Sequence, residues 1–197
     1  RYYDTLGRST GYAINGTRQT TIAYDTYGRI ATMRMAEGRS GVLTASNENE
    51  FVWSYLPNSD LKASLQYPNG LTASWTYDAN NQLIQVCNAT PTNVISQFDY
   101  TYDAAGRTLS TRRDIGAMTT TELTAYDMLG RVISRTDTLG RVTSTAYSAD
   151  DLTITVTPPA GATTTTQRNT DGSVARISGT AQREQLYDYE REGNNLV

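Results

Sequence analysis

Polar and apolar residues alternate along most of this chain. In DLTITVT, Leu152, Ile154 and Val156 fall on one face of an extended strand, and Thr153, Thr155 and Thr157 on the other. In LTASWTY, Leu71, Ala73, Trp75 and Tyr77 share a face against Thr72, Ser74 and Thr76. Phe51, Trp53 and Tyr55 align in EFVWSYL, and Val94, Phe98, Tyr100 and Tyr102 in VISQFDYTY. No segment carries a capped apolar stripe of helical period, so an all-β chain with almost no helix is expected. The stretch from Met35 to Glu50 alternates weakly and reads as an irregular insertion.

The strands are punctuated by one recurring phrase. Tyr-Asp-x-x-Gly-Arg begins at Tyr3, Tyr24, Tyr102 and Tyr126. Looser copies begin at Tyr77, Tyr147, Arg168 and Tyr189, and SYLPNSDL around Tyr55 reads as a degenerate one. The spacing is roughly 21 to 25 residues, about nine units across residues 1–197. A second turn falls between copies, at Asn15-Gly16, Asn69-Gly70, Leu139-Gly140 and Ala160-Gly161. Asp137 to Arg141 is a turn of this second kind that carries the chemistry of the first. Each unit therefore reads as turn, strand, turn, strand.

The turn residues have physical reasons. An aspartate opening a tight turn accepts from backbone N–H groups two or more residues on. The glycine supplies positive φ, as a type I turn with a G1 bulge requires. Asn81 and Asp151 occupy that glycine slot in two copies, and Asn and Asp are the non-glycine residues that best tolerate it. The tyrosine offers a face for stacking on the next unit, its hydroxyl reaching for the rim. The arginine is placed to lie over that ring or a neighbouring one.

One such hairpin cannot bury its own apolar face, so the units must extend a common sheet. So many strands oblige the sheet to coil or spiral. Its raw ends invite further pairing, which makes the chain an expected segment of a longer protein.

Composition narrows the chemistry. Fourteen Tyr stand against two Phe, and hydrophobic residues make up 38%, a strand-favouring and thinly apolar mixture. The absence of His removes Ser-His-Asp and Cys-His catalysis within the chain. Cys87 is the lone cysteine, in the run LIQVC, and reads as a small buried hydrophobe. The net charge of −3 and the scattered arginines give no footprint for nucleic acid. No apolar run approaches the length that spans a bilayer. No cofactor or metal is implied: Asp150-Asp151 is the only adjacent carboxylate pair, and Asp151 already serves a turn.

The repeated phrase resembles the YD repeat of RHS-repeat proteins, a family that includes the B and C components of insecticidal toxin complexes and the teneurins. The residues that carry the resemblance are Tyr3, Asp4, Gly7, Arg8, Tyr24, Asp25, Gly28, Arg29, Tyr77, Asp78, Tyr102, Asp103, Gly106, Arg107, Tyr126, Asp127, Gly130 and Arg131, with Gly140 and Arg141 in the second-kind turn. The Tyr77 copy departs from it, with Asn81 and Gln82 in the Gly and Arg slots. The resemblance implies hairpins spiralling into part of a hollow shell that encloses a C-terminal toxin or effector domain. The partners it implies are the rest of the same polypeptide and that enclosed domain, and the location a bacterial secretion or cell-surface one. No core-end Asp-Pro-x-Gly motif is present, so no catalytic aspartate is carried over. The competing reading is an extracellular adhesive module that binds carbohydrate or a cell-surface partner, with Trp53 and Trp75 as contacts.

Overall fold

A computed structural model describes residues 1–14, 18–36, 48–189, 191–192 and 195–196. Among the described residues there is no helix, and seventeen strands belong to one antiparallel sheet. The chain divides into two compact units, Arg1–Tyr100 with Arg112–Thr119, and Thr101–Thr111 with Thr120–Val197.

The first unit holds β1 (Tyr2–Tyr3), β2 (Ser9–Ile14), β3 (Arg18–Tyr24), β4 (Ile30–Ala36), β5 (Glu48–Tyr55), β6 (Lys62–Gln66), β7 (Thr72–Tyr77), β8 (Leu83–Thr90) and most of β9 (Asn93–Tyr102). Each strand from β1 to β8 pairs with the strand that follows it. Cross-strand rows sort the side chains by polarity. Trp53, Leu65 and Ala73 form one row, and Trp75, Val86 and Phe98 another. On the opposite face, Ser54, Ser64, Ser74, Cys87 and Gln97 follow one another across five strands. The Ser54 and Ser64 hydroxyls lie 2.6 Å apart.

The second unit holds parts of β9 and β10 (Thr108–Ile115), most of β11 (Met118–Tyr126), and β12 (Val132–Thr136), β13 (Val142–Tyr147), β14 (Thr153–Thr157), β15 (Thr164–Arg168), β16 (Val174–Ser178) and β17 (Gln185–Leu186). From β11 to β17 the strands again pair in chain order. Ala146, Thr155, Thr165 and Ser178 form a small, polar row. Tyr147, Ile154, Thr166 and Ile177 form the row beside it, on the other face. A separate hairpin pairs β18 (Arg191–Glu192) with β19 (Asn195–Leu196).

Several expectations shift. The span from Met35 to Glu50 is strand at both ends, with Met35 opposite Asn49 and Ala36 opposite Glu48. Residues 37–47, the turn at Asn15-Gly16 and part of the copy at Tyr189 lie outside the described residues. Val94 leaves the row of Phe98, because the register slips between Asn88 and Ala89. An extra residue in one strand breaks the two-residue period there. Cys87 is half-buried and faces the serine row, not an apolar interior. Alternation in LIQVC could not reveal this, since all its positions are half-buried.

Among the described residues, only Gly11, Thr20, Ala36 and Ala73 are buried, and no large side chain is fully so. Few side chains of the described residues are thus enclosed by their neighbours. Backbone pairing, cross-strand rows and turns carry the local order instead.

Gly11 marks one place where the backbone comes very close. Its φ is +150°, and a Cβ there would lie 2.1 Å from the Thr20 carbonyl oxygen. Gly70, at φ +82°, has nothing near its Cβ position. We expect Gly11→Ala to cost at least about 2 kcal/mol and Gly70→Ala about 1 kcal/mol. Urea unfolding of the two variants checks this, and equal costs would contradict it.

Candidate functional site

The repeated turn pairs an aspartate with an arginine four residues on. In the first copy, the Gly7 N–H donates to the Asp4 carbonyl at 3.0 Å, and the Asp4 N–H to the Arg8 carbonyl at 2.9 Å. The same two bonds recur at Asp25, Asp103, Asp127 and Asp137. Gly7, Gly28, Gly106, Gly130 and Gly140 have φ between +76° and +83°. Asn81 and Asp151 take the same conformation, at +62° and +60°. The register slips at Tyr3, Tyr24, Tyr55, Tyr77 and Tyr126, where the bulge sits. The copy at Tyr147 differs: Ser148 pairs with Thr153, one residue further on, and Ile154 stays in register opposite Tyr147.

The aspartate holds the turn from inside. Asp127 Oδ1 accepts from the N–H groups of Leu129 and Arg131, both at 2.9 Å, while Oδ2 accepts from Arg131 Nε at 2.7 Å. Asp4, Asp25, Asp103 and Asp137 repeat this pattern with Arg8, Arg29, Arg107 and Arg141. Asp78 accepts from the N–H groups of Asn80 and Gln82. Ser148 takes the aspartate slot in its copy and accepts from the Thr153 N–H.

With its Nε fixed, the guanidinium plane is aimed at the next repeat. Arg8 lies 4.4 Å over the Tyr24 ring, Arg29 4.3 Å over Tyr55, Arg107 4.6 Å over Tyr126 and Arg131 4.3 Å over Tyr147. Each ring is a cation–π partner supplied by the following copy. The tyrosine hydroxyl does not reach out to the rim. It donates back to the carbonyl of the residue after that arginine: Tyr24 to Ser9 at 2.8 Å, Tyr55 to Ile30 at 2.9 Å, Tyr126 to Thr108 at 3.2 Å and Tyr147 to Val132 at 3.1 Å. A half-buried hydroxyl beside a strand end finds a backbone acceptor before it finds solvent. Arginine and tyrosine together form a two-point clasp between repeats.

A third contact completes it. A Cβ at Gly28 would lie 3.1 Å from Arg8 Nη1, and one at Gly130 would lie 2.8 Å from Arg107 Nη1. At Asp151, which occupies that slot, the carboxylate accepts from Arg131 Nη1 at 2.6 Å. Arg29 Nη1 donates to the Ser59 carbonyl in the longer turn after Tyr55. Arg8, Arg107 and Arg131 therefore also touch the left-handed residue of the following turn, and Arg29 meets the residue after the left-handed Asn58.

The carboxylates are tuned by these contacts. At Asp4, Asp25 and Asp127 burial opposes the charge, but the arginine backbone N–H and side chain outweigh it, and the carboxyls titrate below the ordinary aspartate value. At Asp103 and Asp137 the arginine backbone N–H is the largest influence, and the direction is the same.

Trp53 and Trp75 are half-buried in the apolar rows. Phe51 stacks against Trp53 with centroids 6.2 Å apart, and Tyr67 meets Phe51 edge-on at 5.8 Å. Neither tryptophan lines the pockets at Tyr27, at Tyr67, at Tyr12 or at Arg141. The clasp itself was only half visible in the sequence: the fixed Asp–Arg spacing was a signal, whereas the tyrosine's acceptor was not.

A family model described as RHS Repeat matches residues 126–163. No curated protein matches the chain. The TcdB2-TccC3 crystal structure without its hypervariable C-terminal region is similar over 92% of this chain and 10% of that chain, at 17% identity and a TM-score of 0.61. The Photorhabdus luminescens Tc holotoxin pore is similar over 99% of this chain and 12% of that one, at 15% identity and a TM-score of 0.60. A TcdB2-TccC3-Cdc42 structure is similar over 95% and 9%, at 19% identity and a TM-score of 0.57. The chain thus spans only about a tenth of those chains, and at these identities the likeness is one of fold.

Two outcomes are expected of the clasp. A double-mutant cycle of Arg107→Ala and Tyr126→Leu in urea unfolding should give a coupling of about 0.5–1 kcal/mol; additive effects would mean that the stacking contributes nothing. The second concerns acid. A carboxyl with a lowered folded-state pKa gives stability that is complete above its unfolded value, about 3.9, and lost as pH falls through the folded value. The urea midpoint should be level from pH 7 to about 5 and drop below about pH 4. Combining Asp4→Asn, Asp25→Asn, Asp103→Asn, Asp127→Asn and Asp137→Asn should flatten that acid limb; an unchanged limb would assign the loss to other groups.

Proposed function

We propose that the chain is built of RHS/YD repeats and is a non-catalytic length of wall in a secreted, toxin-complex type of shell, one that encloses and helps deliver a C-terminal toxin or effector domain. The observation that carries this reading is where the charged groups of the motif go. Each aspartate and arginine of the four clear copies and of the Asp137 turn is engaged with its own turn, and the four arginines of the clear copies also hold the next repeat. A catalytic carboxylate pair needs two groups set around a substrate bond; these carboxylates instead hold backbone at regular intervals. The serine and threonine rows supply a polar face that can border an enclosed polypeptide without a strong local binding site. The fold likeness to TcdB2-TccC3 structures supports the same reading. Its partners are then the rest of the same polypeptide and the enclosed domain.

Electron microscopy of the full-length parent, with limited proteolysis alongside, tests this. A closed shell with weak internal density, and a C-terminal segment spared by protease until the shell is opened, is expected. An open structure enclosing nothing would overturn it and turn attention to adhesion, with Trp53→Ala and Trp75→Ala assayed against glycans.

A further inference from the structure

The fifth Asp–Arg pair is built like the other four but has no ring over it. Asp137 Oδ2 accepts from Arg141 Nε and Nη2, both at 2.7 Å, so the guanidinium plane is fixed as firmly as in the clasps. No aromatic ring among the described residues lies over it. The Arg141 side chain is 61% exposed, against 17–33% for Arg8, Arg29, Arg107 and Arg131. The difference follows from position. Arg141 belongs to the turn between β12 and β13, at the opposite strand ends from the Tyr-Asp turns, so the tyrosines of that motif do not fall beside it. Arg141 borders a shallow groove with Leu123, Arg135 and Thr143.

The Tyr-Asp turns present complementary groups. Tyr27 stands at the tip of the turn between β3 and β4, 72% exposed, with its N–H held by Asp25 at 2.9 Å. The Arg29 guanidinium lies 5.0 Å from one side of its ring, which keeps the side chain oriented. An oriented, exposed ring and an oriented, uncovered guanidinium are the two halves of the contact that the chain makes four times internally.

We propose that the Asp137–Arg141 turn is a docking site for the Tyr27 turn of a second copy of this chain, so that strips associate edge to edge through an arginine–tyrosine stack. The contact is heterologous: each copy offers one ring and one guanidinium at different places. Such contacts propagate and do not close into a pair unless the rotation happens to close. The inference rests on the two turns alone and holds whether or not a wall encloses cargo.

Sedimentation of the full chain over a wide concentration range tests it. The weight-average mass should rise with concentration past that of a dimer. Arg141→Ala, Arg141→Lys and Tyr27→Ala should each weaken association at least tenfold. Arg141→Lys keeps the charge and loses the planar face, so it separates stacking from simple charge attraction. An equimolar mixture of Arg141→Ala and Tyr27→Ala should form a one-to-one complex, because each variant retains the half that the other lacks. That recovery also shows that both variants are folded. A wild-type chain that stays monomeric, variants that associate as the wild type does, or a mixture that fails to recover would each overturn the proposal.

Discussion

The fixed Nε of the turn arginine is the interaction on which the rest depends. An arginine on a bare hairpin has four rotatable bonds and no reason to point at the next repeat. Here one carboxylate oxygen orders the turn backbone and the other fixes the guanidinium, so a single aspartate sets both the turn and the direction of the arginine. The bidentate geometry requires arginine, since a lysine ammonium has no plane to hold. From that direction follow the ring over the guanidinium, the hydroxyl bond back to the preceding repeat and the contact with the next left-handed residue.

This matters because little else in the chain holds one repeat to the next. No large side chain is fully buried among the described residues, so dispersion in a dense core does not set the spacing of repeats. Cross-strand pairing gives every strand a neighbour, but pairing alone tolerates slippage where both faces are half-exposed. The bulges at Tyr3, Tyr24, Tyr55, Tyr77 and Tyr126, with the four clasps, fix register at the strand ends where they occur. The serine and threonine rows then keep that register at modest cost, since hydroxyls such as those of Thr155 and Thr165, 3.0 Å apart, satisfy one another.

The turns were legible in the sequence because their chemistry is local. An aspartate, a left-handed residue and an arginine at fixed spacing specify the hairpin without reference to anything else, and Asn81 and Asp151 in the glycine slot pointed to the same backbone angle. The strands were legible from alternation. What could not be read was anything set by register. The alignment of Val94 with Phe98 failed at a bulge that leaves no mark in the residue types. The face taken by Cys87 and the acceptor of each tyrosine hydroxyl depend on which strand lies opposite, and by how many residues it is offset. Tyr55 shows the same limit in reverse. Its turn departs from the motif, yet it sits under Arg29 and donates to Ile30 like its counterparts.

The copies that depart from the motif show what the clasp requires. After Tyr147 the arginine slot holds Leu152 and the next tyrosine slot holds Arg168, so both halves of one clasp are replaced together. The halves can also part: Tyr102 keeps its ring although Gln82 fills the preceding arginine slot, and Arg141 keeps its guanidinium with no ring over it among the described residues. Arg168 instead turns onto its own hairpin and donates to the Gly172 carbonyl at 2.9 Å. The strands that follow are tied by hydroxyls, with the Thr163 N–H donating to Thr180 Oγ1 at 2.8 Å, and by the Arg176–Glu184 ion pair. The repeat thus tolerates loss of the clasp where other cross-strand contacts take over. Where the clasp is kept, its parts appear as a set: aspartate, left-handed residue, arginine, and a tyrosine one repeat later. Its guanidinium and its ring come from different repeats, which makes it a coupling between repeats and not a site within one.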